Sequence, residues 1–193
     1  MQRARITLLT GPRRIGKSVV CGRLIERLRA SDVQVSGLAT RHTGEHELMV
    51  TELASGAEYP LTLPFEPSGA PGSTRFRMDP AAFERSSQAL AASFPTQVVI
   101  LDEIGPLELV HRQGWVGALE LLQDETFAMA FVVIRPELLS EAVEAFGADL
   151  TMVARVTEQN RDGLVETLAT MAHEACKEQR ADGLARAEAR SGE

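Results

Sequence analysis

Residues Gly11-Pro12-Arg13-Arg14-Ile15-Gly16-Lys17-Ser18 carry the spacing G-x-x-x-x-G-K-[ST], and no other stretch constrains the fold of this chain as tightly. The spacing has a physical reason. Two glycines let the backbone wrap so that successive N–H groups point inward at phosphate oxygens, and the following helix adds its positive N-terminal end. Lys17 supplies a point charge for β- and γ-phosphates, and the Ser18 hydroxyl suits a Mg²⁺ ion. The flanks of this Walker A loop are the ones required. Arg5-Ile6-Thr7-Leu8-Leu9 reads as a short apolar strand, and residues 19–28 place Val20, Leu24 and Leu28 at helical spacing. An ordinary glycine turn needs neither flank.

The remainder alternates strand and helix patterns. Strands are predicted over 33–40, 48–53, 59–63, 97–101, 127–134 and 150–156, with polar turns at 42–45 and 55–56. Helices are predicted over 80–92, where Asp79 caps and Pro80 takes the first helical position, and over 115–122, 136–146 and from 160 onward. Residues 97–101 form an unbroken apolar run, as in a strand covered on both faces. The stretch 33–63 reads as a β-meander on the sheet edge. Residues 64–73, rich in proline, glycine and serine, read as a mobile loop. The expected fold is a single α/β P-loop domain with a mostly parallel sheet, helices on both faces and an antiparallel meander edge. It spans residues 1–176. Residues 177–193, rich in alanine, arginine and glutamate, read as a frayed helical or disordered tail.

Composition narrows the function classes. A chain of 193 residues with 44% hydrophobic content buries enough surface to need no disulfide or structural metal. The net charge of −7 argues against a nucleic-acid or anionic-membrane partner, while leaving the local positive field of a phosphate loop intact. Cys21 and Cys176 lie in no C-x-x-C or Cys/His cluster and read as free thiols of a reducing cytosol. The first strand begins too early to leave room for a signal peptide, and no apolar run reaches transmembrane length. The expectation is a cytoplasmic protein.

A second motif supports the first. Val98-Val99-Ile100-Leu101-Asp102-Glu103 is an apolar strand ending in an acidic pair, the Walker B arrangement. Asp102 suits the hydration shell of Mg²⁺ opposite Ser18. Glu103 follows where the strand opens into a loop and can face a water in line with a γ-phosphate.

From this motif onward the chain resembles a known family. Leu101-Asp102-Glu103-Ile104-Gly105-Pro106-Leu107-Glu108-Leu109 looks like the DEIG-x-x-EL signature of small nucleoside-triphosphatases, the group containing the cancer-related nucleoside-triphosphatase and its thermophile relatives. Ser36-Gly37-Leu38-Ala39-Thr40 resembles the family's second strand, residues 76–84 its helix start, and residues 156–162 its v-t-x-x-N-R-d motif. The resemblance runs in order from about residue 5 to 172. It implies a RecA-like P-loop fold and slow, Mg²⁺-dependent hydrolysis of several nucleoside triphosphates, ATP and GTP among them, with modest base selectivity. The implied nucleotide-binding set is Gly11, Pro12, Arg13, Arg14, Ile15, Gly16, Lys17, Ser18 and Val19, then Asp102, Glu103, Ile104, Gly105 and Glu108, then Asn160 and Arg161. Two departures stand out. Arg13-Arg14 replaces the family's usual Pro-Gly type of pair, and Leu38 replaces an aromatic residue.

Charge on a γ-phosphate calls for an arginine. Arg135, directly after the 127–134 strand, is the candidate for a catalytic phosphate sensor, and Arg41 is a second; the alternative for each is a solvated end-of-strand residue. Asn160 and Arg161 either frame the base or form a helix cap beside a surface arginine. Arg75 and Arg77 either close on a second substrate or belong to a solvated strand. The four histidines have no metal-ligand spacing, and Trp115 reads as a core anchor. NTP hydrolysis leads the functional readings. A nucleotide or small-metabolite kinase and a nucleotide-dependent switch or assembly factor are the alternatives. Oligomeric state is left open.

Overall fold

The computed structural model describes residues 5–64, 76–123 and 126–191, with side chains of the last helix described to residue 185. Most of the 64–73 loop, together with Arg75, lies outside the described residues. Seven strands form one sheet in the order β4-β3-β2-β5-β6-β1-β7. The parallel body comprises β1 (Ile6–Thr10), β2 (Val35–His42), β5 (Val98–Ile104), β6 (Met129–Ile134) and β7 (Thr151–Arg155). On one edge β3 (Leu48–Glu52) and β4 (Glu58–Pro60) pair antiparallel, which is the expected meander.

The apolar strands are explained by two-sided burial. In β5, Val98 and Ile100 face one core while Val99 and Leu101 face the other. In β6, Phe131 and Val133 alternate in the same way with Ala130, Val132 and Ile134. Fully burying each such side chain contributes about 1.5–3 kcal/mol, so strands of this kind lie at the centre of a doubly covered sheet. One core is roofed by α1 (Lys17–Arg29) and α6 (Arg161–Ser191). The other is roofed by α2 (Pro80–Ala92), α4 (Val116–Leu121) and α5 (Leu139–Phe146), with the single turn α3 (Pro106–Leu109) at its edge. Asp79 accepts the Ala81 N–H at 2.9 Å ahead of Pro80, so α2 begins where its cap and proline direct it.

The structure differs from the sequence expectation at several ends. The helix expected over 136–146 begins as a 3-10 turn, Pro136–Leu138, before α5. Strand β5 continues past Leu101 to Ile104, and its pairing with β6 shifts register between Leu101 and Ile104, so the acidic pair sits in an irregular strand end rather than in an open loop. Helix α6 runs unbroken through residue 177 to Ser191. Its buried stripe (Val165, Leu168, Ala169, Ala172) stops at Cys176, the last buried residue of the described side chains.

Candidate functional site

The P-loop is shaped by backbone conformation. Gly11 has φ +156°, and a Cβ there would stand 2.7 Å from the Val156 carbonyl oxygen at the exit of β7. Gly16 has φ +105° and caps α1, where a side chain would be strained. Arg14 adopts φ +63°, a conformation that costs a non-glycine residue on the order of 1–3 kcal/mol and clusters at ligand-binding turns. Arg13 and Arg14 are both exposed. The Lys17 ammonium donates to the Gly11 carbonyl at 2.8 Å and to the Pro12 carbonyl at 3.1 Å. Burial lowers its pKa, while the carboxylates of Glu103 and Asp102 oppose the shift.

Facing it is the end of β5. The Ser18 hydroxyl donates to Asp102 Oδ1 at 3.2 Å, joining the two motifs directly. Asp102 is 4% exposed, and its pKa is pushed up to about 6 by desolvation first, then by the neighbouring Glu103 charge; the Ser18 bond and Lys17 pull the other way. A buried carboxylate and a hydroxyl in contact form an all-oxygen donor pair suited to a hard divalent cation. Thr40, on β2, donates to the Asp102 backbone carbonyl at 3.2 Å and holds the strand end in place.

Glu103 has φ +81°, again the left-handed region for a residue with a side chain. Its carboxylate accepts from Arg135 Nε at 2.7 Å. Strand order explains this partner. Because β6 lies between β1 and β5, Arg135, the residue that follows β6, emerges beside the ends of both neighbouring strands. Arg135 and Glu103 are both partly solvent-exposed, at 48% and 38% for the side chains.

The expected residues divide into two sets. Gly11, Ile15, Gly16, Lys17, Ser18, Asp102, Glu103 and Arg135 converge on one edge of the sheet. Others serve their own segments. Ile104 is fully buried in the core. Glu108 is 4% exposed and turned to loop backbone, accepting from Gly105 N–H at 3.0 Å and Trp115 N–H at 3.3 Å. Both functional groups of the Asn160 side chain latch the β7–α6 turn, Oδ1 accepting from Thr157 N–H and Nδ2 donating to the Arg155 carbonyl, each at 2.8 Å. Arg161 lies along the phosphate loop: a Cβ on Gly16 would meet its Cδ at 3.7 Å. Val19 is 54% exposed. Arg41 pairs with Glu58 of the meander at 3.3 Å. Trp115 is a core anchor, packed edge-on against Phe83 with centroids 5.1 Å apart. The left-handed Glu103 and the hydrogen bond from Trp115 Nε1 to Ser86 Oγ, 2.7 Å long, were not foreseen. The Gly105-to-Glu108 spacing, which matches the acidic half of a capping box, was the available signal for the Glu108 contact. Among the described residues no group of His, Cys, Asp and Glu forms a separate metal cluster, and no helix is long and apolar enough to cross a membrane.

The family model for an NTPase matches residues 6–169. This chain belongs to that NTPase family. The chain is also similar to THEP1 from the hyperthermophile Aquifex aeolicus, with a TM-score of 0.64 and 18% identity over 84% of this chain and 96% of that one. That likeness fixes the fold as a P-loop NTPase fold. No curated protein sequence matches significantly. The matched span ends inside α6, seven residues before Cys176 closes its buried stripe.

Proposed function

We propose that this protein hydrolyses nucleoside triphosphates to diphosphates and phosphate, slowly, with Mg²⁺ and with little base selectivity, in the cytoplasm. The observation that carries the reading is the Ser18–Asp102 contact at 3.2 Å beside Lys17, which joins loop and acidic strand into one phosphate-and-metal site. Ser18 and Asp102 would hold Mg²⁺ or its waters. Bound there, the ion would neutralise charge on the β- and γ-phosphate oxygens. Lys17, now on the Gly11 and Pro12 carbonyls, would turn its ammonium to the same oxygens. Glu103 would take a proton from the attacking water while the bond from the γ-phosphorus to the bridging oxygen breaks, and the diphosphate leaves with that electron pair. Arg135 would meet the charge on the γ-phosphoryl oxygens.

Arg135 holds Glu103 through Oε1 alone, and Oε2 is the oxygen that would take the proton of the attacking water. Low base selectivity fits the use of the whole Asn160 side chain in its own turn, which leaves Arg161 to face a base with its guanidinium plane. Phosphate release from ATP, GTP, CTP and UTP with Mg²⁺ tests the proposal. Comparable slow release from all four is expected. No release from any of them, or release only when a small-molecule acceptor is added, would reject it.

A further inference from the structure

Glu108 is buried, four residues past Ile104 at the end of the irregular β5 and third in α3, and both of its carboxylate oxygens are taken up by main chain. Oε2 accepts the Gly105 N–H at 3.0 Å, and Oε1 accepts the Trp115 N–H at 3.3 Å. Gly105 opens α3 and Trp115 precedes α4, so one side chain ties together both ends of the segment between them. Gly114 adopts φ +68°, and a Cβ there would stand 2.4 Å from Glu108 Oε1, so the loop closes on the carboxylate with no room for a side chain. The far end is anchored through Trp115, whose indole N–H donates to Ser86 of α2 at 2.7 Å. The near end runs through the fully buried Ile104 straight into Glu103 at φ +81°. A side-chain-bearing residue stays in that conformation only where its surroundings over-determine it.

We propose that Glu108 is a positioning residue, whose clamp on Gly105 and Trp115 fixes the backbone that presents Glu103 to the attacking water. The inference rests on the reading of Glu103 as the proton acceptor. The chemistry requires a carboxylate. Two N–H donors converge on Glu108, and glutamine offers one acceptor oxygen and an NH₂ that meets the second donor head-on. Glu108→Gln therefore keeps the volume and leaves one buried N–H without a partner.

The test compares full-length Glu108→Gln, Gly114→Ala and Glu103→Gln with the wild type. It measures kcat and KM for Mg-ATP, equilibrium binding of a non-hydrolysable triphosphate, and the emission of Trp115, the single tryptophan of the chain. Glu108→Gln is expected to lower kcat roughly 10–100-fold, the effect of a misplaced reacting group, with KM and binding within about two-fold of wild type. Trp115 emission should shift in the nucleotide-free protein. A folded Glu108→Gln with wild-type kcat and only a lower Tm would overturn the proposal. If Glu108→Gln does not fold, Gly114→Ala decides: reduced kcat with intact binding supports the clamp, and unchanged kcat rejects it. Glu103→Gln separates the two layers. Full activity there removes the proton-acceptor reading together with this inference, whereas an inactive Glu103→Gln beside a fully active Glu108→Gln removes the clamp alone.

Discussion

The two halves of the site are built by opposite means. The phosphate loop is a backbone device: Gly11 and Gly16 hold positive φ values, its arginines are exposed, and its lysine rests on its own carbonyls. The acidic half is a buried side-chain device. Asp102 and Glu108 are each 4% exposed, Thr40 braces one carbonyl, and Glu108 joins two distant N–H groups. A backbone device needs particular residues at fixed spacing, which is why it appears as a motif. A side-chain device carries buried charge, and the fold around it must offset the desolvation.

The contrast predicts where mutations act. Lys17→Ala removes the loop's point charge together with its bonds to the Gly11 and Pro12 carbonyls. Hydrolysis should fall on the order of 10³-fold, with triphosphate binding weakened more than diphosphate binding and with only a small fall in Tm. Steady-state kinetics and titration calorimetry check this, and near-wild-type turnover would break the loop half of the comparison.

Asp102→Asn should do the reverse and stabilise the nucleotide-free protein. Its native pKa of about 6 lies above the ordinary 3.8, so the native state holds the proton more readily than the unfolded chain between those values. Stability attributable to this group falls as pH rises through that window, and above it the full penalty of about 2–3 kcal/mol applies. Denaturant melts at pH 8 should favour the Asn variant by up to that amount. Melts near pH 4 should nearly coincide, and a gap independent of pH would contradict the burial argument.

Ser18→Ala and Asp102→Ala should each raise the Mg²⁺ concentration needed for half-maximal activity by roughly 10–100-fold, the range for groups that orient a metal or its waters. An unchanged midpoint in both variants would remove the metal role. The smallest effects are expected at the β7–α6 turn. Asn160→Ala should lower stability by about 1 kcal/mol through loss of its turn bonds while leaving the ATP-to-GTP ratio of KM unchanged. Arg161→Ala should move that ratio a few-fold.

Much of the fold was legible because both cores lie against apolar runs. Residues 97–101 and 127–134 are continuous enough to be central strands, and Asp79-Pro80 marks the start of α2 to the residue. Walker A was legible because a loop built from backbone needs particular residues at fixed spacing, and Walker B because an acidic pair, Asp102-Glu103, ends an apolar run. The roles of Glu108 and Asn160 were not. Each is a polar residue next to a motif, and only three-dimensional closure shows that Glu108 reaches Trp115 and that Asn160 uses its side chain on Thr157 and Arg155. The Arg135–Glu103 pair was hidden for a topological reason: no local pattern tells that β6 inserts between β1 and β5. Helix α6 passes residue 177 without a break because composition there removes the apolar stripe but supplies strong helix formers, alanine, arginine and glutamate.

Glu103→Gln is the most direct test of the account, since the phosphate grip and the chemistry are assigned to different halves of the site. The glutamine keeps the volume but cannot take the proton of the attacking water. Single-turnover hydrolysis of Mg-ATP should slow about 10²–10⁴-fold while the Kd for ATP stays within a few-fold of wild type. Hydrolysis within a few-fold of wild type, or loss of binding in parallel with loss of turnover, would contradict the division of labour between loop and strand.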